Sequence, residues 1–173
     1  FPGNRGMHGK VNYNLEAALM ADGVDKSEIY NVLSTKKGMD RAWAKLAEIV
    51  PHVTVWYRGG SQSAQLLRDG EVDVIHMGHN RVESVANSGV DVSYTFQDGT
   101  MDVDCLLVPK GAPNYSNAMK LINSVLSAKS QATLAITMPL GPVNKYAFDA
   151  GIISLEEAKN VNTHPSNYDK QLL

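Results

Sequence analysis

At 173 residues, 43% hydrophobic and 20% charged, the chain can bury a real core in one domain or in one and a half smaller ones. A formal net charge of -2, with no Lys/Arg-rich run, argues against nucleic acid or an anionic membrane as the main partner. The single cysteine, Cys105, excludes an intrachain disulfide and a cysteine zinc site, and no apolar run approaches the ~18 residues of a membrane-inserting helix.

The opening residues, FPGNRGMHGK, have neither the apolar core of a signal peptide nor a cap or element start, which leaves room for an export signal upstream. From Asn14, NLEAALMAD places Leu15, Ala18 and Leu19 at helical spacing, with Gly23 to end the helix. A second helix, roughly Met39 to Val50, sets Ala42, Trp43, Leu46 and Ile49 on one face and stops at Pro51. The β-branched and aromatic run Val53–Tyr57 predicts a strand. RGGSQSAQLLRDG then predicts a glycine turn and a helix capped by Ser61 and ending at Gly70. A strand over Asp73–Gly78 and a helix from about Asn80 to Asn87 follow, closed by Gly89.

Beyond YTFQDGT the pattern changes. MDVDCLLVP predicts a longer strand, Asp102 to Pro109, and everything after it reads as helix or loop: NYSNAMKLINSVLS, SQATLAITM, the loop PLGPVN, then SLEEAKNV. The strand–helix alternation in the first part implies βαβ crossovers, a largely parallel sheet and an α/β fold. Ligands of such sheets sit beyond the carboxyl ends of the strands, where helix N-termini point. That puts Arg58–Gln62 and Gly78–Arg81 on a common rim.

Four features carry candidate chemistry. His52, His76 and His79 lack a carboxylate at ligand spacing, which favours ordinary hydrogen-bonded histidines over a metal site. Cys105 lies in an apolar run, a setting that predicts burial rather than nucleophilic duty. GGSQS matches no phosphate-loop or dinucleotide pattern, so it indicates no cofactor; a helix N-terminus that could bind an anion or simply be capped remains. Asp102 and Asp104, two apart, would share one face of their strand, as paired acids or as plain surface carboxylates.

Six segments, FPGNRG, LEAALMADGVD, MDRAWAKLAEIVPHVTVWYRGGSQSAQLLRDGEVDV, LLVPKGAPN, AMKLINSVLS and PLGPVN, resemble the periplasmic spermidine/putrescine-binding proteins of ABC importers. The resemblance spans nearly the whole chain. It implies a periplasmic binding protein fold of type II kind, with one complete parallel or mixed-sheet lobe over 1–103, a hinge crossing strand at 104–109, and the helical portion of an incomplete other lobe over 110–173. The rest of that lobe would lie outside this sequence, and its exposed helix faces would favour self-association or local disorder after Pro109.

By the same resemblance the protein would be a non-catalytic periplasmic receptor, without cofactor or metal, holding a small solute in an interlobe cleft and delivering it to ABC permease subunits. Tyr13, Asn14, Arg58, Ser61, Gln62, Gly78, His79, Asn80 and Arg81 would line one wall, Asp102 and Asp104 the hinge floor, and Leu140 with Gly141 the other side. A polyamine, putrescine or spermidine, is the favoured ligand, yet several positions depart from the polyamine pattern. Gly78 stands where tryptophan is usual, Asp102 where an aromatic is common, and Leu140 replaces a frequent tyrosine. Lys10 and Tyr13 lie near positions where polyamine binders place acids. An ammonium ligand would lose cation–π partners at these changes, each worth ~0.5–2 kcal/mol. The alternatives are the same receptor for an amino acid, thiamine or small anion, a thiaminase-like enzyme using Cys105, and the effector-binding part of a regulator.

Overall fold

The structure, a computed structural model, describes residues 2–173. The chain divides into two compact units, the first running through Thr100 and including Leu172, the second taking Met101–Gln171 and Leu173.

The first unit is built on a three-stranded sheet of β1 (Arg5–His8), β2 (Val55–Tyr57) and β3 (Val74–Ile75) in the order β2-β1-β3. Both neighbours run parallel to β1, with Gly6 opposite Val55 and Ile75, and His8 opposite Tyr57. The opening residues, which show no element start in sequence, therefore supply the central strand. Gly6 makes that position possible, because a Cβ there would lie 2.8 Å from Ile75 Cδ1.

Alternation along β1 sends successive side chains to opposite faces of the sheet. On one face Met7 packs on a cluster of Leu15, Ala18, Leu19, Ile29, Ala42 and Leu46, supplied by α1 (Asn14–Ala21), α2 (Ile29–Leu33) and α3 (Lys36–Ile49). On the other, Val55, Tyr57, Ile75 and Met77 join Val72 and Leu66 of α4 (Gly60–Arg68). α5 (His79–Ala86) follows β3 and buries Val82 and Val85.

Several helix boundaries differ from expectation for local reasons. α3 begins at Lys36, because the Thr35 hydroxyl accepts the Gly38 amide at 3.0 Å as an N-cap. Its buried positions are Gly38, Ala42 and Leu46, and Trp43, expected on the same face, is 48% exposed. At its end, Pro51 allows only a 3-10 turn over Val50–His52. The N-cap of α4 is Gly59, so Ser61 lies inside the helix and is not the cap. α2 and the turn before it carry no strong periodicity, yet Ile29 is fully buried.

The second unit is helical: α6 (Tyr115–Val125), α7 (Ala128–Thr137), α8 (Leu155–Lys159) and α9 (Pro165–Tyr168). Its core gathers Ala132, Ala135, Ala147, Ile153 and Ala158. Ser127 caps α7, and Ser154 with Glu157 forms a reciprocal capping box on α8.

The strand expected over Asp102–Pro109 is not formed. Among the described residues this segment has no ladder partner, and Val103, Leu106 and Leu107 are exposed, Leu107 at 83%. Its composition suits a strand, but strand structure needs a neighbouring backbone to satisfy its amides and carbonyls. Cys105 shares this exposure, contrary to the burial predicted from its apolar flanks.

The tightest packing constraint lies at the α2–α3 junction, where a Cβ on Gly38 would run into the Val32 carbonyl oxygen. Gly38→Ala is expected to lower unfolding free energy by ~1–3 kcal/mol, as overpacking does, read from the urea midpoint. An unchanged midpoint would show that α3 does not need this close approach.

Candidate functional site

Placing β1 between β2 and β3 fixes where a crevice opens. The chain leaves β1 toward the helices of one face and leaves β2 toward α4 on the other. The connections at the carboxyl ends of β1 and β3 therefore diverge, and this reversal point is where open parallel sheets bind ligands. Residues 8–14, 57–62 and 76–81 meet there.

The crevice is lined by rings. His8, at the end of β1, lies edge-on to Tyr57 with centroids 5.0 Å apart and 6.5 Å from Tyr13. Tyr13 in turn is 6.0 Å from His76, just past β3. The Tyr57 hydroxyl donates to the His76 carbonyl and ties the ends of β2 and β3 across β1. Burial pushes the Tyr57 phenol up to about 12, so it remains a donor throughout the physiological range.

Two features hold the loop after β1. Asn14, 3% exposed, donates its side-chain amide to the carbonyls of His8 and Lys10, each at 2.7 Å. Tyr13, the N-cap of α1, has φ +74°, the left-handed region that costs a side-chain-bearing residue free energy. Strain of this kind persists where surrounding structure over-determines it, frequently at a binding site.

Both histidines are held below the ordinary imidazole range. For His8, burial comes first and the charge of Lys10 second; for His76, burial comes first and then His8. Two neutral imidazoles therefore face a rim that carries Lys10, Arg58 and Arg81. The segments 8–14, 57–62 and 76–82 contain no Asp or Glu. Arg81 folds over the start of α4, where a Cβ on Gly60 would stand 2.7 Å from its Nε. Gln62 Oε1 accepts the Arg58 amide at 3.0 Å, and neither α4 nor α5 has a side-chain cap bond at its N-cap glycine.

His79 turns into a separate cluster, 5.3 Å from the Tyr94 ring, 5.0 Å from Phe96 and 3.6 Å from Glu83. Glu83 also accepts the Tyr94 hydroxyl, so this carboxylate is engaged away from the rim. Burial, followed by Glu83, pushes the Tyr94 phenol upward.

The structure thus brings Tyr13, Asn14, Arg58, Ser61, Gln62, Gly78, His79, Asn80 and Arg81 to the ends of the strands, and adds His8, Tyr57 and His76 between them. His8 escapes sequence reasoning because its strand does; its place two residues before the Lys10–Asn14 loop is the only signal. Asp102, Asp104, Leu140 and Gly141 belong to the second unit. Asp102 and Asp104 are exposed on the extended segment, without the shared strand face expected of them, and Asp102 accepts the Val103 amide at 2.9 Å. Leu140 and Gly141 lie between α7 and the Lys145–Ala147 turn, where a side chain on Gly141 would collide with Asn162 Oδ1. His52 lies at the opposite end of the sheet, in an open depression with Pro2, Gly3, Arg5 and Thr54 that holds none of these groups. No cluster of three or more His, Cys, Asp or Glu suited to a metal occurs among the described residues, and no helix there is long and apolar enough to cross a membrane.

The family model for bacterial extracellular solute-binding proteins matches residues 1–163. The chain is 32% identical over 169 residues to a gamma-aminobutyric acid-binding protein of Pseudomonas aeruginosa, a match covering 98% of this chain and 47% of that protein. Among solved structures it is similar to an ABC transporter substrate-binding protein from Bradyrhizobium japonicum USDA 110, at 42% identity and TM-score 0.92, covering 100% of this chain and 52% of that one. It is also similar to the PBP MotA from A. tumefaciens B6 in complex with glucopine, at 35% identity and TM-score 0.89, covering 99% and 53%. The chain spans about half the length of these relatives, and the α/β fold expected from its sequence is the fold they share.

Two outcomes test the geometry of the crevice. Tyr13→Gly and Tyr13→Ala both remove the ring, but only alanine keeps the left-handed cost. The glycine variant should therefore be more stable by ~1–2 kcal/mol in urea unfolding, and equal stabilities would remove the strain. The second concerns pH. His8 and His76 are held below their unfolded value of 6.5, so the unfolded chain binds more protons in mild acid. The stability they contribute is complete above that value and falls away as pH drops through the folded values. His76→Gln should flatten the dependence of the thermal midpoint on pH below 6.5; an unaltered slope would contradict the assignment.

Proposed function

The chain belongs to the bacterial extracellular solute-binding proteins, and we propose that it serves as the receptor of an ABC importer for a small solute bearing a carboxylate, of amino-acid kind. One observation carries the choice of ligand. The three segments that converge at the reversal point of the sheet bring Lys10, Arg58 and Arg81 and no carboxylate. A cationic rim with helix N-termini behind it attracts an anionic group and repels a polyamine. γ-Aminobutyrate, named for the P. aeruginosa relative, has such a carboxylate. The polyamine favoured by the sequence resemblance has no support from the relatives named above, and offers no carboxylate to this cationic rim.

In this reading Arg58 and Arg81 hold the carboxylate, with Ser61, Gln62 and Asn80 beside them, while Tyr13, Tyr57 and the neighbouring imidazoles exclude water from the carbon chain. Residues 1–103 would serve as one lobe and 110–173 as part of another, with 104–109 between them, whereas the compact units themselves divide after Thr100. Partner permease subunits and a periplasmic location belong to the same proposal. Cys105 has no role in it: the thiol is exposed on an extended segment outside the crevice-lining segments.

A thermal-shift panel on the full chain tests the assignment. At a hundred times its Kd a native-state ligand adds ~2.7 kcal/mol of stability, enough to raise the midpoint by several degrees. γ-Aminobutyrate or another ω-amino acid should produce that shift, and Arg58→Ala should abolish it. A shift with putrescine or spermidine, and none with any carboxylate, would overturn the proposal.

A further inference from the structure

The three rim cations would attract any anion and do not by themselves select one. Selection needs a group of fixed geometry, and the crevice contains one that sequence reasoning passed over. His8 sits at the end of the central strand, part-buried, with Tyr57 against one side of its ring and Tyr13 near the other. The Lys10 backbone amide donates to His8 Nδ1 at 3.1 Å. That nitrogen must therefore be an acceptor, which leaves the ring proton on Nε2. Nε2 has no hydrogen-bond partner among the described residues and is not sealed from solvent.

The surroundings keep the ring in this state. The charged groups facing it are Lys10 on its own loop and Arg58 past β2, whose Cγ would lie 3.7 Å from a side chain at Gly9. His76 faces it from β3, and Tyr13 and Tyr57 are neutral. Glu16, in the first turn of α1, is the nearest acid along that helix. Protonating Nδ1 would break the Lys10 amide bond and set a positive charge beside Lys10. A neutral imidazole with one fixed, outward N–H is the outcome.

We propose that His8 is a specificity-determining residue of the solute site, donating its Nε2–H to one oxygen of the solute carboxylate. This rests on the carboxylate reading given under Proposed function. Arg58 and Arg81 supply attraction from any direction, whereas His8 supplies a single bond along one line, held by the Lys10 amide, the Asn14 side chain and the two tyrosine rings. A solute whose carboxylate is replaced by a primary amide still offers an oxygen but loses the charge. A phosphate offers charge in a different shape.

The test is calorimetric titration of the full chain with γ-aminobutyrate and its amide, γ-aminobutyramide, for wild type, His8→Phe and His8→Gln, alongside nitrogen NMR of the His8 ring without ligand. The wild-type ring should show the Nε2–H tautomer at pH 7.5. His8→Phe should weaken γ-aminobutyrate binding by about tenfold or more, and His8→Gln, which keeps an N–H donor, should recover part of that loss. An Nδ1–H or charged ring in the free protein would overturn the inference, as would wild-type binding untouched by His8→Phe. Failure of wild type to bind any carboxylate would instead refute the reading of the rim, and His8 would fall with it.

Discussion

A three-stranded parallel sheet whose first strand lies in the middle cannot be closed at its carboxyl edge. The chain must leave the central strand toward one layer of helices and later leave its neighbours toward the other, and the two departures open a crevice. Everything else in the first unit serves that arrangement. Gly6 lets Ile75 lie against β1 with no side chain between them. Met7 anchors the opposite face to α1 and α3. The Tyr57 hydroxyl joins the outer strands past the end of the middle one. With these in place, the segments after the strands meet, and their side chains are left to line the crevice.

The chemistry at that point is set by what was kept out as much as by what is present. Three cations and two neutral imidazoles stand together, none of the segments that supply them carries a carboxylate, and Glu83 beyond them is engaged by Tyr94 and His79. Such a site is costly to leave empty of charge and receptive to an anion. The left-handed backbone of Tyr13 and the doubly donating side chain of Asn14 keep the loop after β1 from relaxing away from it.

Much of this was legible in the sequence. The helix at Tyr115 carries clear apolar periodicity, those at Asn14 and Ala128 are rich in Ala and Leu, and β2 is β-branched and aromatic. The rim was also legible, since two glycine-bearing turns each followed a strand. What escaped did so for physical reasons. Arg5–His8 is too short and too polar to show a period of two, and becomes a strand only because β2 and β3 pair with it. Asp102–Pro109 has the opposite history: its composition is that of a strand, but a strand needs a neighbouring backbone, and among the described residues it has none. Ser61 lost its capping role to Gly59, whose extended backbone starts α4 two residues earlier. Family likeness favours a polyamine, which the relatives do not support, whereas the local charge of Lys10 and Arg58 favours the anionic alternative.

The central claim, that the solute sits at the carboxyl ends of β1, β2 and β3, is tested most directly by amide chemical-shift mapping of the full chain with γ-aminobutyrate. The account predicts that the largest changes fall on residues 8–14, 57–62 and 76–81. Changes confined to the opposite end of the sheet, around Arg5 and His52–Thr54, would contradict it.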